Sequence, residues 1–310
     1  MEILRGFGDI SLGRAGSVVS IGNFDGVHRG HQAVIGTAVE AARTSELASV
    51  VCTFDPHTRV WLAPDKPPRL LDTLEQRLRT IESLGVDIAV VIPFGREVAA
   101  QPRQEFVRCF LEDALHATQL HVSRDFTFGA GGRGNVDFLQ SIAAEHHFVV
   151  HVVAAVVADG TPISSTRIRD AIAAGVMEEA TALLGRPFAL SGEVVSGAGR
   201  GRDLDAPTAN LAVGDRFLPG RGVYVTEVRV NGEVFAAVTN VGVRPTFDDD
   251  GAVTVETHVL DRRLSLYGRC IELAFLKRLR REIQFEGPQA LAAQIRRDVH
   301  DANRYFAGGS

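Results

Sequence analysis

His28 and His31 stand three residues apart at the foot of a helical pattern, directly behind the glycine-bearing run Gly22-Asn23-Phe24-Asp25-Gly26. Imidazoles at that spacing share one side of a helix entry and can donate hydrogen bonds to phosphate oxygens. The first turn of a helix adds backbone N–H groups without intrahelical partners, and its dipole favours an anion. A glycine turn lets a ligand come close to the backbone. The group therefore suits a nucleotide polyphosphate and needs no metal to do so. Two plainer readings stand beside it: a zinc-binding pair, for which cysteine partners are missing nearby, and ordinary surface histidines at a helix start.

Further groups have the same double character. Pro162-Ile163-Ser164-Ser165-Thr166-Arg167-Ile168-Arg169 puts hydroxyls at a helix start, where they cap free N–H groups. It reads as a well-capped helix or, with Arg169, as a second anion site. Asp55-Pro56-His57 ends an apolar run and is either a post-strand turn or part of a ligand crevice. Residues 124–135 form a glycine-rich stretch in which Phe126 and Phe128 are costly to expose and can wall a planar ring. Gly197-Ala198-Gly199-Arg200-Gly201-Arg202 is not the dinucleotide fingerprint, because Arg202 holds its sixth position and no βαβ unit precedes it. Alone it reads as a hairpin tip.

These groups need a scaffold, and the hydrophobic pattern supplies one. Val18-Val19-Ser20-Ile21 and residues 48–54, 86–94, 120–122 and 148–157 read as strands, mostly of the continuous apolar kind found in parallel sheets. Between them, residues 69–84 and 104–115 show helical spacing, the first through Leu71, Leu74, Leu78, Ile81 and Leu84 with Gly85 as its stop, the second through Phe106, Val107, Phe110, Leu111 and Leu115. Alternating strands and helices predict a parallel α/β sheet covered on both faces, with ligands at the carboxyl ends of its strands. Gly22–His31 and Thr53–His57 fall at such ends.

A further helix, residues 177–184, is closed by Gly185-Arg186-Pro187, and the texture then changes. We divide the chain there, into domains 1–186 and 187–310. Residues 191–196, 222–230, 234–241, 253–260 and 270–275 are short, β-branched and glycine-punctuated, and Asn231-Gly232 is a strong hairpin signal. They predict a small antiparallel β-barrel. A last helix, 287–306, carries Leu291, Ile295 and Val299 toward it. Lys277-Arg278-Leu279-Arg280-Arg281 reads as a solvated basic face.

Composition excludes several function classes. With 310 residues, 45% hydrophobic and 23% charged, the chain suits two ordinary globular domains. A net charge of −5 gives no electrostatic case for nucleic acid or an anionic membrane. No apolar run reaches the ~18 residues of a membrane helix, and MEILRGFGDI lacks a signal-peptide core. Three widely spaced cysteines, Cys52, Cys109 and Cys270, read as buried free thiols in a reducing compartment, so a cytoplasmic location is expected.

GNFDGVHRGH resembles the signature of the HxGH nucleotidyltransferases, and its GxFDGVHxGH form is most similar to bacterial bifunctional FAD synthetases (riboflavin kinase/FMN adenylyltransferase). TFDPH, the DFTFG of Asp125–Gly129, SSTRIR, GAGRGRDLDAPTANL, NVGVRPTF and TVETHVLDRRLSLYG are each similar to segments of that family, so the resemblance spans nearly the whole chain. It implies a Rossmann-like HxGH domain that joins FMN to ATP, and a kinase barrel that makes FMN from riboflavin and ATP. In the first domain it implies that Gly22, Asn23, Phe24, Asp25, His28, His31, Ser165, Thr166 and Arg169 bind ATP, with His28 and His31 catalytic, and that Pro56, Asp125 and Phe128 face the flavin. In the second it implies that Gly197, Gly199, Gly201, Thr208 and Asn210 bind ATP, that Thr208 and Asn210 hold Mg²⁺ arriving with the nucleotide, and that Glu256 is the base. The chain departs from the family pattern at Ser123-Arg124, where a small glycine-containing lead-in is expected, and at Asp205-Ala206, where Gly-Phe is expected. The rival readings are another HxGH transferase acting on a different phosphate, which has no use for the second half, and a flavin-binding sensor with a degenerate kinase half.

Overall fold

The computed structural model describes residues 1–7, 10, 12, 16–195, 208–243, 253–262 and 264–308. They form two compact units, Met1–Ser164 and Ser165–Ser310. In the first, six parallel strands, β1 (Glu2–Arg5), β2 (Ser17–Ile21), β3 (Ala48–Asp55), β4 (Ile88–Pro93), β5 (Ala117–Ser123) and β6 (Val149–Val153), lie in the order β1-β4-β3-β2-β5-β6. Val18, Val19, Val50, Val51, Cys52, Val90 and Ile92 are buried to within about 1% of full enclosure, which is why these strands read as unbroken apolar runs. The strand order reverses at β2, whose neighbours are β3 on one side and β5 on the other. The crevice at the carboxyl ends of β2 and β5 is therefore the switch point where open α/β sheets bind ligands.

Helix α1 (Arg29–Ser45) follows β2 and buries Val34, Ile35, Ala38, Val39 and Ala42. Helix α2 spans Leu74–Ser83, five residues shorter at its start than the apolar spacing predicts. Thr73 and Gln76 close a capping box there, and the backbone N–H groups of Leu71 and Asp72 turn away from the helix to donate to Asp25 Oδ1 at 3.0 and 3.4 Å. Residues Phe106–Ala114 wind as a π-helix, with the Leu115 N–H reaching the Phe110 carbonyl at 3.0 Å. The predicted stripe is buried as expected, because both windings gather the same residues on one side over two turns. The strand predicted over 148–157 ends at Val153; Val157–Ala158 pairs instead with Thr161–Pro162 across Asp159-Gly160, both at positive φ.

The second unit opens with α3 (Ser165–Ala174) and α4 (Met177–Leu184). Six antiparallel strands then close into a barrel: β7 (Phe188–Val195), β8 (Ala209–Leu211), β9 (Gly222–Val230), β10 (Glu233–Val243), β11 (Val253–Val259) and β12 (Cys270–Arg281), in the order β7-β8-β11-β10-β9-β12. Asn231-Gly232 joins β9 to β10 as predicted, at φ +52° and +82°. Inside the barrel, the hydroxyls of Thr226, Thr239 and Thr257 form a chain of hydrogen bonds at 2.8 and 2.9 Å. Helix α5 (Pro288–Phe306) packs Val299, Ala302 and Tyr305 against Val223, Val225 and Val238 on the outer face.

The basic cluster at 277–281 forms the last five residues of β12; Lys277 and Arg281 are exposed as expected of a solvated face, but Arg278 and Arg280 are half-buried and engaged with protein. Arg278 donates to the carbonyls of Ala174 (2.8 Å) and Arg221 (2.6 Å), and so ties α3 to the barrel. Arg280 makes a bidentate pair with the buried carboxylate of Asp298 on α5. All three cysteines are free thiols, but the expectation that they are buried holds only for Cys52: Cys109 is half-buried, and Cys270 is exposed because it opens strand β12. Among the described residues no helix is long and apolar enough to cross a membrane.

One pH dependence follows from the sheet. His121 on β5 is buried, stacked on His151 of β6 at 4.5 Å, with Nδ1 3.1 Å from Thr37 Oγ1. Burial, then His151, lowers its protonation from the ordinary 6.5 to about 4. Above pH 6.5 the ring is neutral folded or unfolded and contributes nothing. Below it, the unfolded chain takes up a proton that the native chain refuses, so stability falls until about pH 4. Urea unfolding is expected to show a loss of about 2 kcal/mol from this ring between roughly pH 7.5 and 5. His121→Gln is expected to flatten that dependence.

Candidate active sites

The first candidate site begins where β2 ends. The Gly22 N–H still donates to the Cys52 carbonyl at 3.1 Å, and a Cβ at Gly22 would lie 3.0 Å from the Phe24 ring. Phe24 and Val27, at φ +49° and +34°, turn the chain sharply and bury their side chains with Ile35, Val51 and Ile81. The positive φ values flank Gly26 at +84°. This tight turn delivers His28 to the N-cap of α1, where its Nδ1 accepts the His31 N–H at 3.3 Å. With Nδ1 an acceptor, the ring proton of neutral His28 lies on Nε2.

The two imidazoles stack, with centroids 3.5 Å apart and planes 19° from parallel, and Phe24 meets His31 edge-on at 5.3 Å. His31 Nδ1 is buried without a hydrogen-bond partner among the described residues. Burial, then His28, then Arg77, holds the His31 imidazole well below its ordinary protonation range. The arrangement is thus a stacked pair of rings at a helix N-terminus in which His31 is held uncharged until an anion arrives to favour its protonation.

Gly30 has a specific reason to be glycine. A Cβ there would sit 3.1 Å from His28 Cε1 and Nδ1 and 3.6 Å from the Ile163 carbonyl. Its backbone is helical, so alanine would favour the helix by up to about 1 kcal/mol. Gly30→Ala is therefore expected to keep or raise the melting temperature while displacing the His28 ring. Any reaction that uses that ring is expected to slow about tenfold, checked by melting and turnover on the same preparation.

Asn23 and Asp25, predicted as ligand residues, are engaged with protein. Asn23 Nδ2 donates to Thr58 Oγ1 (3.0 Å), and its Oδ1 accepts the Thr58 N–H (3.1 Å). Asp25 is 2% exposed and accepts the N–H groups of Leu71 and Asp72. Both fix the loops around the histidines. At the carboxyl end of β3, Pro56 is exposed after a cis Asp55–Pro56 bond, and His57 is buried with Nδ1 accepting the Arg59 N–H. The short turn that follows exposes Trp61 by 49% and Leu62 by 60%. That apolar surface beside Pro56 was not singled out from sequence, although the apolar run Val60-Trp61-Leu62 right after Asp55-Pro56-His57 was its signal.

Asp125 is exposed at the carboxyl end of β5. Phe128 is buried, packing on Phe106 at 4.9 Å and lying over Gly134, while Phe126 is half-exposed beside it. In the second unit, Ser165, Thr166 and Arg169 occupy the first turns of α3, and the neighbouring Arg167 pairs with Glu179 at 3.0 Å.

Sequence reasoning missed Arg77. Its guanidinium is 1% exposed and donates from Nη1 to Thr53 Oγ1 (3.1 Å) and the Phe54 carbonyl (3.0 Å). The signal was available: Arg77 sits three residues after Leu74 and four before Ile81, a charge on the apolar stripe of α2.

The second candidate site lies on the outer face of the barrel. Glu256 pairs across β11 with Asn210 of β8 on one side and Asn240 of β10 on the other. Direct cross-strand partners share a face, so Asn210, Glu256 and Asn240 form one row. Their neighbours Thr257 and Thr239 point into the barrel, so the row points out, on the face where α5 packs. Glu256 and Asn240 are half-buried; Asn210 is 6% exposed, and its Oδ1 has no hydrogen-bond partner among the described residues. Thr208 is half-buried just ahead of β8. Gly197, Gly199, Gly201, Asp205 and Ala206 lie outside the described residues. Among the described residues no group of three or more His, Cys, Asp or Glu side chains is arranged to hold a metal ion.

Comparison with known proteins gives two family matches, FAD synthetase over residues 12–167 and riboflavin kinase over residues 184–306. The chain is 38% identical over 307 residues to the bifunctional riboflavin kinase/FMN adenylyltransferase of Pseudomonas fluorescens, covering 99% of this chain and 98% of that one. It is 35% identical over 302 residues to the protein of the same name from Bacillus subtilis, covering 95% and 94%. A crystal structure described as a macrolide-efflux protein from Streptococcus pneumoniae matches with a TM-score of 0.87 at 30% identity, over 98% of this chain and 99% of that one.

Proposed function

The chain belongs to the bifunctional riboflavin kinase/FMN adenylyltransferase family, and from that premise we infer how its two sites divide the work. It phosphorylates riboflavin to FMN with ATP and adenylylates FMN to FAD with a second ATP, releasing pyrophosphate. We assign the adenylyl transfer to residues 1–186 and the kinase reaction to residues 187–310; the riboflavin kinase match beginning at residue 184 supports that boundary.

In adenylyl transfer, a phosphate oxygen of FMN bonds to the α-phosphorus of ATP as the bond to pyrophosphate breaks. The nucleophile is already an anion, so no general base is required. Alignment and charge stabilisation carry the rate. His28 Nε2–H, the His31 ring and the free N–H groups of α1 meet the growing negative charge, while Gly22 and Phe24 shape the approach to the backbone. Asn23 and Asp25 act by holding the turn. Ser165, Thr166 and Arg169 supply the second set of phosphate contacts. Pro56, Asp125 and Phe128 belong to the flavin side.

In the kinase reaction, the terminal ribityl hydroxyl of riboflavin attacks the γ-phosphorus and ADP leaves. This nucleophile is neutral and must lose a proton, which the Glu256 carboxylate accepts. Thr208 and Asn210 are the residues that would hold Mg²⁺. Their neutral oxygens suit a hard cation, and the orphaned Asn210 Oδ1 is a donor atom awaiting a partner. Bound with ATP, such an ion would offset phosphate charge. Gly197, Gly199 and Gly201 cradle the phosphates of this ATP. We place the protein in the cytoplasm, consistent with its three free thiols.

One observation carries the two-site reading: a chain with a phosphate-ready histidine pair at a helix start also has a carboxylate flanked in register by two amides. The test is chromatography of flavins after incubating the pure protein with riboflavin, ATP and Mg²⁺. FMN followed by FAD is expected. FMN alone locates a defect in the histidine site, and FAD formed only when FMN is supplied means that Asp205-Ala206 has cost the kinase. If FMN with ATP also yields nothing, the reading fails.

A further inference from the structure

Arg77 is the largest fully enclosed side chain among the described residues, and nothing in the proposed reactions uses it. Enclosing a guanidinium is expensive, and a core that needs only volume is better served by an apolar residue. Its bonds show what it secures. Nη1 reaches Thr53 Oγ1 at 3.1 Å and the Phe54 carbonyl at 3.0 Å; Thr53 Oγ1 donates onward to the Asn23 carbonyl at 3.1 Å. Asn23 in turn holds Thr58 through both ends of its amide. One cation thus joins the turn after β2, which presents the histidines, to the loop after β3, which presents Pro56.

We propose that Arg77 is the positioning residue of the adenylyl-transfer site, fixing from beneath the turn that carries the phosphate-binding histidines relative to the loop on the flavin side. The proposal rests on the adenylyltransferase reading above. Arg77 touches no substrate; it acts through Thr53 and Asn23. Bond formation requires the α-phosphorus and the FMN phosphate to be held by these two loops at once, so slack between them lowers turnover more than it weakens binding of either substrate.

Charge gives a second role. Burial is the largest influence on the Arg77 guanidinium and lowers its affinity for the proton; Asp25, Asp72 and Asp55 act against it and favour the charged form. That guanidinium disfavours protonation of His31, in the same direction as burial and His28. Arg77 Nε is enclosed without a hydrogen-bond partner among the described residues. The chain retains the guanidinium although one of its donors is unsatisfied, which a purely space-filling role would not require.

The test uses the full chain with Arg77→Met, Arg77→Lys and Thr53→Val. Turnover and KM are measured for FAD formation from FMN and ATP, FMN formation from riboflavin serves as an internal control, and His31 is titrated by NMR. Arg77→Met is expected to lower kcat for FAD formation about a hundredfold, to change each KM less than threefold, to leave FMN formation within twofold, and to move the His31 titration to higher pH. Arg77→Lys, which keeps the charge but not the fork, is expected to leave His31 titrating as in the parent while kcat still falls about tenfold. FAD formation within threefold of the parent in Arg77→Met overturns the proposal. If that variant loses both activities or fails to fold, Thr53→Val decides: a tenfold drop in kcat at unchanged KM supports the proposal, and parental kcat overturns it. A parent chain that makes no FAD would instead sink the adenylyltransferase reading itself.

Discussion

His31→Ala is expected to abolish FAD formation while FMN formation continues at the parental rate. On the proposed roles, His31 supplies half of the stacked pair that meets the charge growing on pyrophosphate. Losing such a preorganised group costs roughly a thousandfold, or about 4 kcal/mol of transition-state stabilisation. The change is gentle on the fold. The residue 31 N–H that caps onto His28 Nδ1 belongs to the backbone and survives, and alanine suits the first turn of a helix. Melting is therefore expected to change little, separating a catalytic loss from a folding one. The same ring predicts a proton linkage. His31 is neutral in the free protein near neutral pH, because burial, His28 and Arg77 all oppose its charge. Polyphosphate anions reverse that balance. ATP binding at this site is thus expected to take up protons, seen in calorimetry as an enthalpy that varies with the buffer's own ionisation enthalpy. In His31→Ala that dependence is expected to shrink.

Glu256→Gln is expected to do the opposite: riboflavin phosphorylation falls a hundred- to ten-thousandfold, about the worth of a positioned general base, while FMN supplied from outside is still converted to FAD. The amide keeps the shape of the carboxylate between Asn210 and Asn240, so the barrel retains its register. What it cannot do is accept the hydroxyl proton. The binding of ATP is expected to survive, because Thr208, Asn210 and the glycine loop are untouched. The two variants together test the division of labour. If either well-folded variant loses both activities, the reactions do not occupy separate sites.

Much of the molecule was legible because its chemistry is local. The turn at Gly22–Gly26, the hairpin at Asn231-Gly232, the stop at Gly85 and the apolar parallel strands depend on residues within a few positions of one another, so sequence alone indicates them. The histidine pair is likewise a local object, made by one helix entry. The errors fell where distant residues intervene. Helix α2 starts late because Asp25, 46 residues away, claims the N–H of Leu71. Within the 277–281 cluster, Arg278 and Arg280 leave the solvated face because they find Ala174 and Asp298.

By itself, then, the sequence determined the elements, the histidine entry and the kinship with the two-reaction family, since each rests on short-range pattern. Only the tertiary structure decided that Asn23 and Asp25 hold loops, that Arg77 is enclosed beneath the histidines, and that Asn210, Glu256 and Asn240 stand in one row. Those facts follow from strand register and from the burial of charge, which arise when residues far apart in the chain are brought into contact.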